Sequence, residues 1–319
     1  MNRKTVVVAL GGNALQKQGE ASAHAQQRVA DAAARHLVPL ILSGYRLGHN
    51  VAIVHGNGPQ VGNIVLHEES INTAEVPTFP LDTCVAMSQG AIGFWLQQAL
   101  IDEFSRRHMH SVASTVVTQV VVDKDDPAFK DPTKPIGVFY KTKDAASAAA
   151  NGRGFVFKED AGRGWRRVVP SPKPLRIVEE YTVKAMLDAG VTVITGGGGG
   201  VPVIETADEG LEGVEAVVDK DFTAAVVADA VDAEALVILT AVDNAMVDYG
   251  KPTARAIGRT TVQEMQRYVD AGQFAPGSML PKVQAAMKFA QKPGRRAIIA
   301  SLEHASDALD GQVGTIIES

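Results

Sequence analysis

Cysteine is almost missing from this chain. Cys84 is the only one in 319 residues, so no internal disulfide can form and a reducing compartment suits the protein. No run approaches the roughly 20 apolar residues of a membrane span. The first apolar run, Val6-Val7-Val8-Ala9-Leu10, ends at once in Gly11-Gly12. That is too short for a secretory leader and reads as a buried strand, so a cytoplasmic protein is expected. Excess positive charge is absent too. A net charge of −5 and a pI near 5.9 argue against a nucleic-acid partner. No internal repeat or low-complexity tract is found.

Several chemical signatures are also lacking. Gly56, Gly58 and Gly62 are spaced one residue too far for a dinucleotide fingerprint. Gly250-Lys251 is followed by Pro252 and has no upstream glycine, so there is no Walker A loop. His108 and His110 are too close for a helical ligand pair, and His67-Glu68-Glu69 is not a zinc-protease motif, so no metal site is expected. No nucleophile elbow occurs, and Cys84 has no evident activating neighbour and reads as a buried thiol.

What is present is an alternation of short apolar runs and longer helical patterns. Strands are expected at 6–10, 50–54, 114–122, 191–195, 235–240 and 296–299. Most are continuously apolar, as in strands covered on both faces. Helices are expected at 25–42, 87–104, 179–189, 221–230, 262–271 and 282–290. The 319 residues, 45% of them hydrophobic, allow one large domain or two smaller ones. The alternation predicts right-handed crossovers and an α/β fold with a mainly parallel sheet. Ligands would then bind at the carboxyl ends of the strands.

One stretch breaks the rhythm. Residues 123–174 carry six prolines and eleven Lys and Arg against seven acids, a balance of +4 inside an acidic chain. It reads either as an exposed insertion with a solvated basic face or as a lid whose cations meet an anionic ligand.

Three glycine turns follow strand candidates. They are Leu10-Gly11-Gly12-Asn13-Ala14, His55-Gly56-Asn57-Gly58-Pro59-Gln60-Val61-Gly62, and Thr195 followed by five glycines, Gly196 to Gly200. Glycine permits φ > 0 and close backbone approach, and consecutive N–H groups can form an anion nest. One such turn alone implies only a tight bend. Two at the ends of parallel strands could enclose a small anion. The five-glycine run is read as ligand approach, with a flexible linker as the alternative.

Three lysines stand in unusual settings. Lys134 lies in Thr133-Lys134-Pro135-Ile136-Gly137. Lys220 lies between Asp219 and Asp221, and Lys282 follows a Gly-Ser and Pro turn at an expected helix start. Helix N-termini favour phosphate. Phosphoryl transfer needs positioning and charge neutralisation more than covalent chemistry. A lysine about 4 Å from a transferring oxygen is worth ~4 kcal/mol at an effective dielectric of ~20, roughly a thousandfold in rate.

Taken together with Leu81-Asp82-Thr83-Cys84-Val85-Ala86-Met87, the stretches 162–174 and 213–221 and the segment from Gly277 to Lys282, these motifs resemble those of carbamate kinase. Order and spacing match across essentially the whole chain. The resemblance implies the amino-acid kinase fold, a three-layer αβα sandwich with a mainly parallel central sheet. It implies a single domain over 1–319, with the carbamate or carbamoyl phosphate site in the N-terminal half and the nucleotide site in the C-terminal half. Residues 123–174 would be a small protruding lid subdomain. The implied reaction interconverts ATP plus carbamate with ADP plus carbamoyl phosphate, using Mg²⁺, in a cytoplasmic homodimer. It often runs toward ATP in arginine catabolism.

Carried onto this sequence, the resemblance makes Lys134, Lys220, Asp221 and Lys282 catalytic. Gly11, Gly12, Asn13, Gly56, Asn57 and Gly58 would bind carbamoyl phosphate. Gly197, Gly198, Gly199, Ser278 and Met279 would border the nucleotide. Leu10 stands where related amino-acid kinases carry a lysine, a charge that Lys134 would supply from the lid. Two departures are visible: Val138-Phe139-Tyr140 where the family usually has proline after the glycine, and Ala241 where it often has glycine or aspartate. Carbamate is itself an anionic nucleophile, so the absence of a general base agrees with this chemistry. Three other readings remain open: another small-anion kinase of the same fold, a non-catalytic nucleotide sensor, and a nucleic-acid module using the patch 163–167.

Overall fold

Alternate residues of the strand Lys4–Leu10 point into two different apolar layers. Val7 and Ala9 enter one, and Val6, Val8 and Leu10 enter the other. The strands His49–His55 and Ala233–Thr240 divide in the same way. This is why their sequences are apolar without alternation: both faces are buried. The computed structural model describes residues 4–11, 22–58, 60–150, 154–160, 162–208 and 210–319.

The central sheet has eight strands. In spatial order they are Arg259–Thr261, Thr315–Glu318, Arg296–Ser301, Ala233–Thr240, Lys4–Leu10, His49–His55, Thr192–Ile194 and Ala113–Thr115. From Arg296–Ser301 to Ala113–Thr115 every pairing is parallel. The last two strands at the other edge run antiparallel to the rest. Helices Ala23–Arg46, Leu81–Arg106 and Ala305–Leu309 bury their apolar residues on one face. Helices Glu180–Asp188, Lys220–Ala230 and Met279–Ala290 cover the other. The result is the expected αβα sandwich.

Several expected elements are corrected. The strand expected over 114–122 is two strands in two sheets. Ala113–Thr115 ends the central sheet, and Gln119–Val122 joins a second, four-stranded sheet with Pro174–Ile177, Val201–Glu205 and Leu211–Gly213. The break falls at Thr118. There the buried Gln89 side chain acts as a surrogate strand, accepting from the Thr118 N–H (2.9 Å) and donating to its carbonyl (3.0 Å). The helix expected from Lys282 begins at Met279, because Pro281 is tolerated in a first turn that needs no intrahelical N–H there. An unexpected helix, Gln60–Ser70, starts inside the stretch read as a turn up to Gly62.

Within 123–174, the strands Lys134–Tyr140, Trp165–Val169 and Val156–Glu159 form a separate antiparallel sheet, accompanied by the helix Lys143–Ala150. Its base shares a small apolar cluster with the body of the protein. Ile136 and Val169 pack with Val61, Val65, Leu81, Cys84, Val85 and Val217. Cys84 is therefore a packing residue. Burial, with the charges of Glu68, Asp82, Glu215 and Glu69 behind it, pushes its thiol up to about 11. This sheet comes close to the body at Gly62, where an added Cβ would overlap the Gly137 backbone. The arginines of the 163–167 patch are paired within the chain, Arg163 and Arg166 with Asp160 and Arg167 with Glu69, and nearby Lys158 pairs with Asp131. That leaves little of the 163–167 patch for a nucleic acid.

Candidate active site

A cleft of about 450 Å³ opens where the carboxyl ends of the central strands meet. Gly11 follows the first strand, Gly56, Asn57 and Gly58 the second, Thr240 and Ala241 the fifth of the chain's central strands, and Leu302 and Glu303 the strand Arg296–Ser301. Gly11 and Gly56 are tied to this edge by main-chain bonds, Gly11 N–H to the Leu239 carbonyl (3.1 Å) and Gly56 N–H to that of Leu10 (3.2 Å). Two helices point their N-termini at the same space: Lys220–Ala230, capped by Asp219, and Met279–Ala290, preceded by Ser278. The Ser278 side chain makes no capping bond. Such N-termini present free N–H groups and a positive dipole end to an anion.

The cations come from three separate parts of the chain. Asp221 binds two of them, accepting from Lys220 Nζ on Oδ1 at 2.6 Å and from Lys282 Nζ on Oδ2 at 2.8 Å. Burial works to raise the Asp221 carboxyl, but the two ammonium charges and their hydrogen bonds outweigh it and hold it at about 2. The Lys220 ammonium is pushed down, chiefly by its own burial and also by the neighbouring Lys282, against the pull of Asp221. The third cation, Lys134, arrives on the separate sheet and bonds Asp219 Oδ2 at 2.8 Å.

The five-glycine run is not a linker. Gly197–Gly199 is a single 3-10 turn, and Gly196, Gly198, Gly199 and Gly200 all have positive φ. The run is wedged between the turn after the second strand and the segment that leads into the helix Lys220–Ala230. Side chains at Gly197, Gly198 and Gly199 would overlap the His55 ring, the Asn57 amide and the Val218 carbonyl. Of the residues read as nucleotide-bordering, Gly198 and Ser278 line the cleft; Gly197 and Gly199 are enclosed by protein, and Met279 packs at the margin of a core cluster. Gly12 and Asn13 lie outside the described residues. Asn57 lines the cleft, yet its side chain is engaged: Nδ2 donates to the Gly198 carbonyl (3.3 Å), and Oδ1 accepts from Ser88 Oγ (2.7 Å). These bonds fix the direction of its amide.

Three contributors were not singled out from the sequence. Asp219 holds Lys134, and only its place beside Lys220 hinted at it. Thr223 ties the helix start to the glycine run, donating to the Gly199 carbonyl at 2.7 Å. His55 lies buried beneath Gly197. Burial depresses its imidazole to about 4, so the ring is neutral; Nδ1 donates to the Gly56 carbonyl at 3.0 Å.

Among the described residues, no group of three His, Cys, Asp or Glu side chains could hold a metal ion. Both oxygens of Asp221 and of Asp219 are engaged by lysine or backbone donors. Glu303, exposed on the cleft wall, makes no ion pair with any described residue. That donor set suits a magnesium ion held mainly by phosphate oxygens and water, which is how Mg²⁺ commonly binds.

The amino acid kinase family model matches residues 4–301. Carbamate kinase 1 of Enterococcus faecium is 49% identical over 316 residues, covering 98% of this chain and 99% of that protein. The structure of a carbamate kinase from Giardia lamblia bound to AMP-PNP superposes with a TM-score of 0.89 at 41% identity, covering 99% of this chain and 98% of the other. A UMP kinase from Bacillus anthracis aligns with a TM-score of 0.54 at 14% identity, which shows the shared fold alone.

Proposed function

Because the chain belongs to the amino acid kinase family and, within it, to the carbamate kinases, we propose that its cleft transfers a phosphoryl group reversibly between ATP and carbamate, giving ADP and carbamoyl phosphate. The observation that carries this reading is the convergence of Lys220, Lys282 and, through the next acid, Lys134 on one cleft floored by glycine turns.

Charge and placement support the following roles. Gly11 and the Gly56-Asn57-Gly58 backbone form the carbamoyl phosphate side, with Gly12 and Asn13 assigned to it by resemblance. Lys134, Lys220 and Lys282 neutralise the phosphoryl group as it moves, since its transition state spreads charge over several oxygens. Asp221 keeps two of these ammonium groups together and remains ionised. Gly198 and Ser278 face the nucleotide side, with Gly197, Gly199 and Met279 supporting the backbone there. Magnesium, bound to the nucleotide, would supply further neutralisation of the phosphates, and Glu303 on the cleft wall is an exposed carboxylate that could join it. No residue need remove a proton from carbamate, and His55, beneath the glycine run, is held neutral and directed at a backbone carbonyl.

The wider setting rests on the resemblance. We assign the enzyme to arginine catabolism, running toward ATP, in the cytoplasm, where an unpaired buried Cys84 is at ease. Residues 123–174 would act as the lid. A homodimer is supported by an exposed apolar stripe on the helix Leu81–Arg106, in which Met87, Phe94 and Ile101 recur every seven residues; light scattering on the purified protein measures it. ADP, carbamoyl phosphate and Mg²⁺ incubated with the enzyme should yield ATP, and less without Mg²⁺. Absence of ATP with correctly folded protein sinks the carbamate reading; nucleotide binding without turnover would instead mark a sensor, and turnover only with another acyl or phosphate acceptor a different small-anion kinase.

A further inference from the structure

We propose that Asp219 is a positioning residue, a latch that holds Lys134 of the separate sheet in the cleft and aims it at the transferring group. The inference rests on the phosphotransfer reading above and deepens it.

Three bonds make Asp219 a junction. Its Oδ2 accepts from Lys134 Nζ at 2.8 Å, and its Oδ1 accepts from the Asp221 N–H at 2.9 Å. Its carbonyl accepts from the Thr223 N–H (3.1 Å). One carboxylate therefore joins the lysine of the separate sheet to the first turn of the helix that carries Lys220 and Asp221. The two partners are brought together independently of this contact. Lys134 pairs with Val169 in the strand ladder, and the Val217 N–H, two residues before Asp219, bonds the Pro170 carbonyl at 3.0 Å. Ile136, Val169 and Val217 share one apolar cluster. The backbone thus fixes the base of the separate sheet beside Asp219, and the carboxylate decides where the long, rotatable lysine points.

The contact is partly solvated, with side-chain exposure of 33% for Lys134 and 20% for Asp219. It is therefore weak enough to yield when an anionic ligand competes, yet charged enough to hold the ammonium at the cleft beforehand. A lysine loses several rotatable bonds on being fixed, so orientation before binding lowers the cost of binding. The lysine's charge alone would suffice if it were rigidly held. On a four-carbon stem carried by a separate sheet, it needs a partner.

Asparagine caps a helix as well as aspartate, so Asp219→Asn keeps the helix start while removing the charge that holds Lys134. In the ATP-forming assay it should lower kcat/KM for carbamoyl phosphate by about tenfold or more while the KM for ADP changes less than about twofold. In a Lys134→Met background the same substitution should cost less than about threefold, since residues acting as a unit are non-additive. Equal factors in both backgrounds, equal effects on both substrates, or no loss in the wild-type background would each overturn the role of Asp219. If the asparagine variant does not fold, Asp219→Ser, also a good cap, takes its place in the same cycle. Wild-type enzyme that makes no ATP overturns the reaction itself, and the latch with it; turnover with additive losses overturns the latch alone.

Discussion

Asn57 Nδ2 donates to the carbonyl of Gly198 across 3.3 Å, and this contact joins the turn after the second strand to the five-glycine run 141 residues later. The two turns look alike in sequence, but they are fitted to each other. The amide of one fills the space that a side chain on the other would occupy.

Gly198→Ala therefore meets two penalties: a positive φ of 66° and overlap with the Asn57 amide. Strained backbone and overpacking each cost on the order of 1–3 kcal/mol. The variant should unfold several degrees lower in a thermal melt and lose most of its turnover. A melt and a rate indistinguishable from wild type would show that the turn can widen freely.

Asp221 is held at about 2 by Lys220 and Lys282 despite its burial. A carboxylate with a depressed folded value contributes stability above its unfolded value near 4, and that contribution is lost as pH falls through the folded value. About 2 kcal/mol should disappear between pH 5 and pH 2 in urea titrations of the wild type. Asp221→Asn should flatten that window and lower kcat by about a hundredfold or more, because two buried ammonium groups lose their common anchor. Lys220→Ala should likewise reduce kcat by roughly a thousandfold, the scale expected of one well-placed cation.

His55 carries the opposite protonation logic. Burial lowers its folded value to about 4, while an unfolded histidine titrates near 6.5. The unfolded state binds the proton first, so stability falls as pH drops from 6.5 toward 4. The loss from pH 8 to pH 5 should be about 2 kcal/mol. His55→Gln should show a shallower slope over that interval. An unchanged slope would assign the effect to other groups.

Gly62→Ala tests how the separate sheet docks. Its methyl would overlap the Gly137 backbone, which has no side chain to rotate away. The strand Lys134–Tyr140 must then shift from the helix Gln60–Ser70, and Lys134 with it. Initial rates should show a rise of about tenfold in KM for carbamoyl phosphate and little change for ADP. A rise in both, or in neither, would mean that the strand's position does not govern substrate capture.

The sequence alone determined the α/β class, the parallel sheet and the kinds of group in the site. Those follow from local signals: continuous apolar runs mark strands buried on both faces, glycines mark turns, and Lys220 between two acids at a helix start marks a charged junction. Residue order also carried the family resemblance, because motif spacing survives without knowledge of contacts. The tertiary structure alone decided which glycines face the cleft and which face protein. Gly198 and Gly199 are adjacent and identical, and only the neighbouring Asn57 and Val218 tell them apart. It decided that 114–122 is two strands, since the break at Thr118 is made by Gln89, 29 residues away. It also separated the roles of Asp219 and Asp221. Both flank Lys220 in the chain, but one carboxylate turns to Lys282 and the other to Lys134. Those partners lie 61 and 85 residues distant, so no local pattern could encode the choice; packing of the separate sheet and of the helix Met279–Ala290 made it.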